Sequence, residues 1–309
     1  MSTDDHVATD RGRAEPAPAA PAAPMVVLVL VLVGLVATGI GLQRSAATGD
    51  AAVGEAAVAA PMEHRGRMVV ECDYSHSAPD DPIVSPGFPG QSHRHDFFGN
   101  VAVDAFSTPE QLTGEDTTCV VRQDRAAYWA PALYRGEEVL TPASSDAYYR
   151  AAPGVDPAEV VPFPFGFLSI GGNAGAEEPQ STNVVGWACG RNSILAVDPP
   201  TCPESKPLAL HVRFPACWNG DQLDSLDHKN HVVYGGETGG CPDTHPVHVP
   251  QLELVVQYEV WGDPAGLRLA SGSVRTGHAD FMNAWDPEKL ANDVDHCIAR
   301  DVVCGIPSI

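Results

Sequence analysis

Downstream of residue 66, prolines and glycines cut nearly every apolar run before it reaches helical length, and no other feature narrows the fold as much. SPGFPG, APGVDP, PFPFG, GGNAG, DPPTCP and YGGETGGCP stand between the apolar stretches. Such residues stop helices by removing a backbone donor or by favouring turn conformations. The surviving runs are short and rich in β-branched and aromatic residues: RMVVECDY, TTCVVR, AAYWAPALY, GFLSIGG, NVVGWAC, LALHVRFP, NHVVYG and LELVVQYEVWG. In the last, Leu252, Leu254, Val256, Tyr258 and Val260 alternate with the period of a half-buried strand. The pattern predicts a mostly β domain, an antiparallel sandwich or jelly-roll-like fold with long loops. One helix is expected, in DPEKLANDVDHCIAR, with Asp286 as N-cap and Pro287 as the first helical residue.

Upstream, the chain changes character. Residues 1–24 are rich in Ala, Pro and charge without an apolar face, the composition of a disordered tail, here expected to be cytoplasmic. Residues 25–42 contain no charge over 18 positions, long enough for a transmembrane helix or signal anchor. Residues 43–66 read as a flexible stalk rich in Ala and Gly. All eight cysteines (Cys72, Cys119, Cys189, Cys202, Cys217, Cys241, Cys297 and Cys304) follow the apolar run. An even number on one side of an anchor is the signature of disulfides formed in an oxidising compartment. No Cys-x-x-Cys pair supports a zinc cluster instead. The expected arrangement is therefore a single-pass protein of the cell membrane with residues 67–309 outside, or a secreted one if the apolar segment is cleaved. Eight cysteines allow roughly a hundred pairings; the short loops Cys189 with Cys202 and Cys297 with Cys304 are the ones spacing favours.

The net charge of −22 lies almost wholly in the outer domain. Such a field repels phosphate backbones and argues against a nucleic-acid partner. No P-loop and no Gly-x-Ser-x-Gly elbow occurs, so nucleotide binding and serine-hydrolase chemistry lack support.

Histidine carries the functional signal. Four segments combine it with carboxylates or prolines: SHRHDFFGN, LDSLDHKNH, CPDTHPVHVP and GHADFMNAWD. In an extended strand His93 and His95 project from one face and Asp96 from the other. Two imidazoles so placed, with a third ligand from elsewhere, suit a divalent metal. His228 and His231, three apart, would meet on one helical turn. His278 and Asp280 again stand two apart. Imidazoles beside carboxylates also serve as general acids and bases near neutral pH. The candidate catalytic set is His93, His95, Asp96, Asp227, His228, His278 and Asp280, with Asp227 and Asp280 orienting imidazoles; His93, His95 and His278 are the candidate metal ligands. Trp129, Trp218, His231 and His245 are candidate substrate contacts, the tryptophans as stacking faces for sugar rings. For any single histidine the plainer expectation is a surface group or an imidazole bonded to a carbonyl.

The segments DPIVSPGFPGQSHRHDFFGN, TTCVVRQDRAAYWAPALY, HVRFPACWNGDQLDSLDHKNHVVY, CPDTHPVHVPQL and HADFMNAWD, in that order, resemble the DUF1996 family of secreted bacterial and fungal proteins. The resemblance runs from about Val69 to Cys297. It implies that Asp81, His93, His95, Asp227, His228, His278, Asp280 and Trp285 fall on family motif positions; Asn219 departs from it, where the motif more often has Asp. It implies no particular reaction.

Three functions fit this reading: a hydrolase or lyase acting on cell-envelope or environmental polysaccharide with or without a divalent metal, a non-catalytic glycan- or metal-binding surface protein, and a structural wall-associated domain. They differ in one geometric respect. The first two need the imidazoles of residues 93, 95 and 278 to meet.

Overall fold

The computed structural model describes residues 66–191, 194–236 and 239–305. The expected tail, the apolar run 25–42 and the stalk, apart from Gly66, lie outside the described residues. Among the described residues no helix is long and apolar enough to cross a membrane.

Ten strands form one continuous ladder: β1 (Arg67–Ala78), β2 (His95–Gly99), β3 (Ala127–Pro131), β4 (Pro142–Arg150), β5 (Leu168–Gly172), β6 (Val185–Cys189), β7 (Leu208–Arg213), β8 (Gln251–Tyr258), β9 (His278–Met282) and β10 (Val303–Cys304). Their order is β5-β9-β3-β2-β1-β4-β8-β7-β6; every neighbour on this path is antiparallel, and β10 adds to β1 in parallel. The long strand β1 serves two layers. Its first part pairs with β4, and beyond a register shift at Tyr74 to His76 its second part pairs with β2. A strand that changes sheets at an irregularity is how sandwiches turn their corners.

The two ends of the ladder nearly meet. The Tyr234 hydroxyl accepts from Gly172 N at 3.1 Å and donates to Arg213 O at 2.8 Å, joining β5 to β7. A Cβ on Gly171 would lie 3.0 Å from Arg213 O, a tight contact that glycine avoids where these strands approach. The result is a nearly closed, mostly antiparallel β sandwich, as the run lengths predict. TTCVVR is the exception: it forms isolated bridges rather than a strand, and the Cys72 to Cys119 disulfide links it to β1.

Side chains alternate between two apolar regions. Phe98, Tyr128, Ala130, Ala279 and Phe281 enter the main core with Trp187, Trp285 and Leu254. Phe97, Ala127, Trp129 and Met282, from the same strands, point outward into a second cluster with Ile83, Val103 and Leu112. The excursion between β2's neighbours therefore lies over the outer face of β2, β3 and β9 and buries it. In the main core, Asp124 accepts from the Tyr128 hydroxyl at 2.8 Å; burial pushes its carboxyl up to about 8 against that bond.

Strand β8 is buried along its whole length rather than on one face. Its second face carries Glu253, which pairs with Arg150, Arg213 and His211, and Val255, which packs with Val69, Tyr148 and Ala209. The expected helix is present over Pro287–Asp293, with the Asp286 carboxylate accepting from Lys289 N at 2.8 Å, and it continues as a π-helical turn over Val294–Ala299.

Four disulfides join Cys72 to Cys119, Cys189 to Cys202, Cys217 to Cys241 and Cys297 to Cys304, including both predicted short loops. No cysteine is free. Such a set suggests an extracellular or secreted domain.

Gly99 ends β2 at φ +79°, and a Cβ there would sit 2.5 Å from Ala126 O. Left-handed backbone costs an L-residue about 1–2 kcal/mol before any clash. Gly99→Ala is expected to lose at least ~2 kcal/mol in urea unfolding; an unchanged midpoint would show that the backbone there yields freely.

Candidate functional site

The outer face of β2, β3 and β9 brings together three of the predicted residues. His95 pairs with Pro131 in the ladder, and Asp280 pairs with Trp129. Two residues before Asp280 on the same face stands His278, so His95 and His278 flank Pro131 on adjacent strands. Proline has no N–H to give to β9, and the β3–β9 ladder ends at Trp129.

The third imidazole comes from the loop that enters β2. His93 Nε2 lies 3.1 Å from His278 Nε2, and His95 Nε2 lies 3.5 Å from the same atom. The His93 ring stands 4.2 Å from that of His95, centroid to centroid. His95 and His278 are buried, and His93 is half-buried at the edge.

Hydrogen bonds on the far sides of the rings decide which nitrogens are free. His95 Nδ1 is 2.9 Å from Asp80 O, and His278 Nδ1 is 2.9 Å from Thr276 O. A carbonyl oxygen only accepts, so both Nδ1 atoms carry the proton and donate it. Burial holds both rings neutral: the pKa of His95 falls well below the usual range, with the neighbouring His93 and His278 adding to the effect, and that of His278 falls to about 4. Each Nε2 therefore presents a bare lone pair to the other. Burial lowers His93 as well.

Two carboxylates adjoin this centre. Asp81 and Asp280 each place an oxygen, and His95 a nitrogen, within 4.8 Å of one another. Asp81 is fixed by the amides of Ile83 and Val84, which donate to its Oδ1 at 3.0 and 2.9 Å. Asp280 is 1% exposed and its Oδ2 has no hydrogen-bond partner. Burial drives its carboxyl well above the usual range, and the charge of Asp81 pushes the same way. Asp81 was not among the predicted site residues. It lies twelve residues before His93 in a turn, and neither periodicity nor spacing links the two.

A second wall is built by the segment 221–231. Lys229 Nζ donates to Gly172 O at 3.5 Å, and its charge reaches His278 and Asp280; the charge of His228 reaches Asp81. This segment is a series of turns, not the helical turn that the spacing of His228 and His231 predicts. His228 adopts φ 57° and donates from Nδ1 to Asp224 at 2.8 Å. The two imidazoles consequently do different things.

Several predicted roles are corrected by position. Asp96 faces the opposite side of β2 from His95, accepting from Ser77 Oγ at 2.5 Å, and burial raises it to about 6. It cannot reach the imidazole centre because successive strand residues alternate faces. Asp227 is exposed and orients no imidazole of the centre; it accepts from Asn230 N at 2.9 Å and from Ser225 Oγ at 2.8 Å, and these bonds lower it to about 2. His231 is fully buried, with Nε2 2.7 Å from Leu168 O and Nδ1 3.1 Å from Ser225 Oγ. His245 spends its Nε2 on Asn230 O at 2.9 Å. Both brace the second wall rather than face a substrate. Trp129 is 0% exposed beneath the first loop, so it presents no face to a sugar. Trp218 is half-buried, with its indole N–H donating to Gln222 O.

The third cluster of candidate ligands, Cys72, Cys119 and Asp124, holds no metal-ready thiolate, because its cysteines are bonded to each other. No curated protein and no solved structure matches the chain. A family model described as a domain of unknown function, DUF1996, matches residues 81–285, which span the imidazole centre, both carboxylates and both walls. The chain belongs to the DUF1996 family.

Proposed function

We propose that the domain is an extracellular metalloprotein whose ion is held by His93, His95 and His278, and that it acts as a hydrolase or lyase on polysaccharide. The observation that carries the metal is the pair of Nε2 lone pairs on His95 and His278, 3.5 Å apart with both Nδ1 atoms committed to carbonyls. No proton remains to share between those lone pairs, and a cation between them converts repulsion into ligation. Nitrogens about 2.0–2.1 Å from one tetrahedral ion lie about 3.3 Å from each other, and the spacings of 3.1 and 3.5 Å bracket that value. Backbone carbonyls behind ligating imidazoles are the usual outer partners of such a site.

Three protein ligands leave a coordination position open, which is the arrangement of catalytic rather than structural zinc. An ion so held would lower the pKa of a bound water and polarise a substrate oxygen. An all-nitrogen set selects zinc, copper or nickel over magnesium and calcium. Support for polysaccharide comes from the compartment, and residues 25–42 would tether the domain to the membrane beside that substrate. The burial of Trp129 favours a second reading, a metal-binding surface protein without turnover, because it removes a stacking face. The structural reading applies to other histidines: His76 bonds Val103 O, His231 bonds Leu168 O and His245 bonds Asn230 O.

The test has two parts. Cobalt titration of the full chain is expected to give the visible absorption of a nitrogen-ligated, low-symmetry ion, and His278→Ala to weaken binding at least ~100-fold. Incubation with a panel of polysaccharides, with and without chelator, then separates the readings. Metal-dependent product that His95→Ala abolishes supports catalysis; bound metal with no product from any glycan supports the second reading.

A further inference from the structure

One oxygen of Asp280 is buried without a hydrogen-bond partner. The residue is 1% exposed, and Asp81, itself 4% exposed, stands beside it. Two buried carboxylates in contact repel each other, and each loses the hydration that would stabilise its charge. The charge of Lys229 reaches Asp280, but its Nζ donates to Gly172 O at 3.5 Å. One oxygen of each aspartate nonetheless lies within 4.8 Å of the other, close enough for the pair to hold one ion between them, with His95 alongside. The two aspartates come from different parts of the fold, one from a turn pinned by two amides and one from the middle of β9. Their approach is therefore imposed by tertiary structure and not by neighbouring positions in the chain.

We propose that Asp81 and Asp280 hold a second cation next to the imidazole centre, with His95 beside both sites but ligating only the first ion, through Nε2. This rests on the reading of His93, His95 and His278 as a metal centre. The second ion belongs to the hard divalent class, Mg²⁺, Mn²⁺ or Ca²⁺, because carboxylate oxygen is its ligand and the first site is all nitrogen. Two ions sharing a wall form a clamp for an oxygen-bearing substrate, with one ion activating water and the other neutralising charge on the oxygen that leaves.

Each site can be tested through a ligand the other does not use, His93 for the nitrogen site and Asp280 for the oxygen site. Full-length chain in mild detergent is stripped with chelator, dialysed against Zn²⁺ and Mn²⁺ together, and analysed for bound metal, with Mn²⁺ also followed by electron paramagnetic resonance. The wild type is expected to retain one equivalent of each. His93→Ala should lose Zn²⁺ and keep Mn²⁺, whereas Asp280→Asn should keep Zn²⁺ and weaken Mn²⁺ at least tenfold. One equivalent of Zn²⁺ with no protein-bound Mn²⁺ overturns the second site and leaves the imidazole centre standing. Loss of Zn²⁺ from Asp280→Asn also overturns it, by making that carboxylate a ligand of the first ion. No metal in the wild type overturns both. If Asp280→Asn does not fold, as judged by its near-ultraviolet circular dichroism, Asp81→Asn is read in the same way.

Discussion

Replacing Cys72 and Cys119 together by alanine is expected to cost about 4 kcal/mol, against about 2 kcal/mol for the Cys297 and Cys304 pair, if the cross-link acts by restricting the unfolded chain. The first bond closes 47 residues of sequence and the second only 7. The larger loop also contains Asp80, Asp81, His93 and His95, that is, two of the three imidazoles, one carboxylate and the carbonyl that fixes the His95 tautomer. Opening it should therefore weaken metal binding as well as stability, whereas opening the C-terminal bond should leave metal binding unchanged. Urea unfolding of both double variants, alongside cobalt titration, checks the two halves separately. Equal stability losses would refute the loop-length argument; unaltered cobalt affinity in the first variant would show that strand β2 holds its histidines without the disulfide.

Glu253→Gln is expected to lose about 3 kcal/mol at neutral pH and to abolish a large part of the protein's sensitivity to acid. Burial alone would raise this carboxyl, but the His211 hydrogen bond at 3.0 Å and the charges of Arg150 and Arg213 outweigh it and hold the group at about 2, against an ordinary 4.5. A pKa depressed on folding stabilises the native state above the unfolded value, and the gain disappears as pH falls from about 4.5 to about 2. A shift of this size corresponds to about 3 kcal/mol. Stability measured by urea at a series of pH values should fall steeply across that interval in the wild type and more gently in Glu253→Gln. Parallel curves would mean that the ion cluster over β8 is solvated and contributes little.

Much of this architecture is legible in the chain. Proline and glycine spacing excludes long helices, and β-branched runs between them become β1, β3, β5, β6, β7 and β8 within a few residues of the expected bounds. Asp286 and Pro287 start the one helix where the capping rules put them. Local rules failed where a distant contact outweighed them. The spacing of His228 and His231 suits a helical turn, yet His231 is drawn to Leu168 O and His228 to Asp224, and the segment follows those bonds instead. Trp129 has the composition of a sugar platform but is buried in a cluster with Ile83, from the segment before β2, and Leu112, from the segment after it.

The outward turn of His95, with Asp96 turned away, follows from the two-residue period of a strand, and so the chain alone declares it; His93 reaches the His95 ring from the loop before β2, outside that period. That Asp96 is thereby removed from the centre follows from the same period. The approach of His278, 183 residues later, does not. It depends on β9 lying one strand away from β2, on Pro131 ending the ladder between them, and on the carbonyls of Asp80 and Thr276 turning both Nε2 atoms inward. Asp81 joins them for the same kind of reason. Neighbours along a chain obey local sterics, whereas the meeting of remote side chains is settled by which strands pair and which loops fold over them.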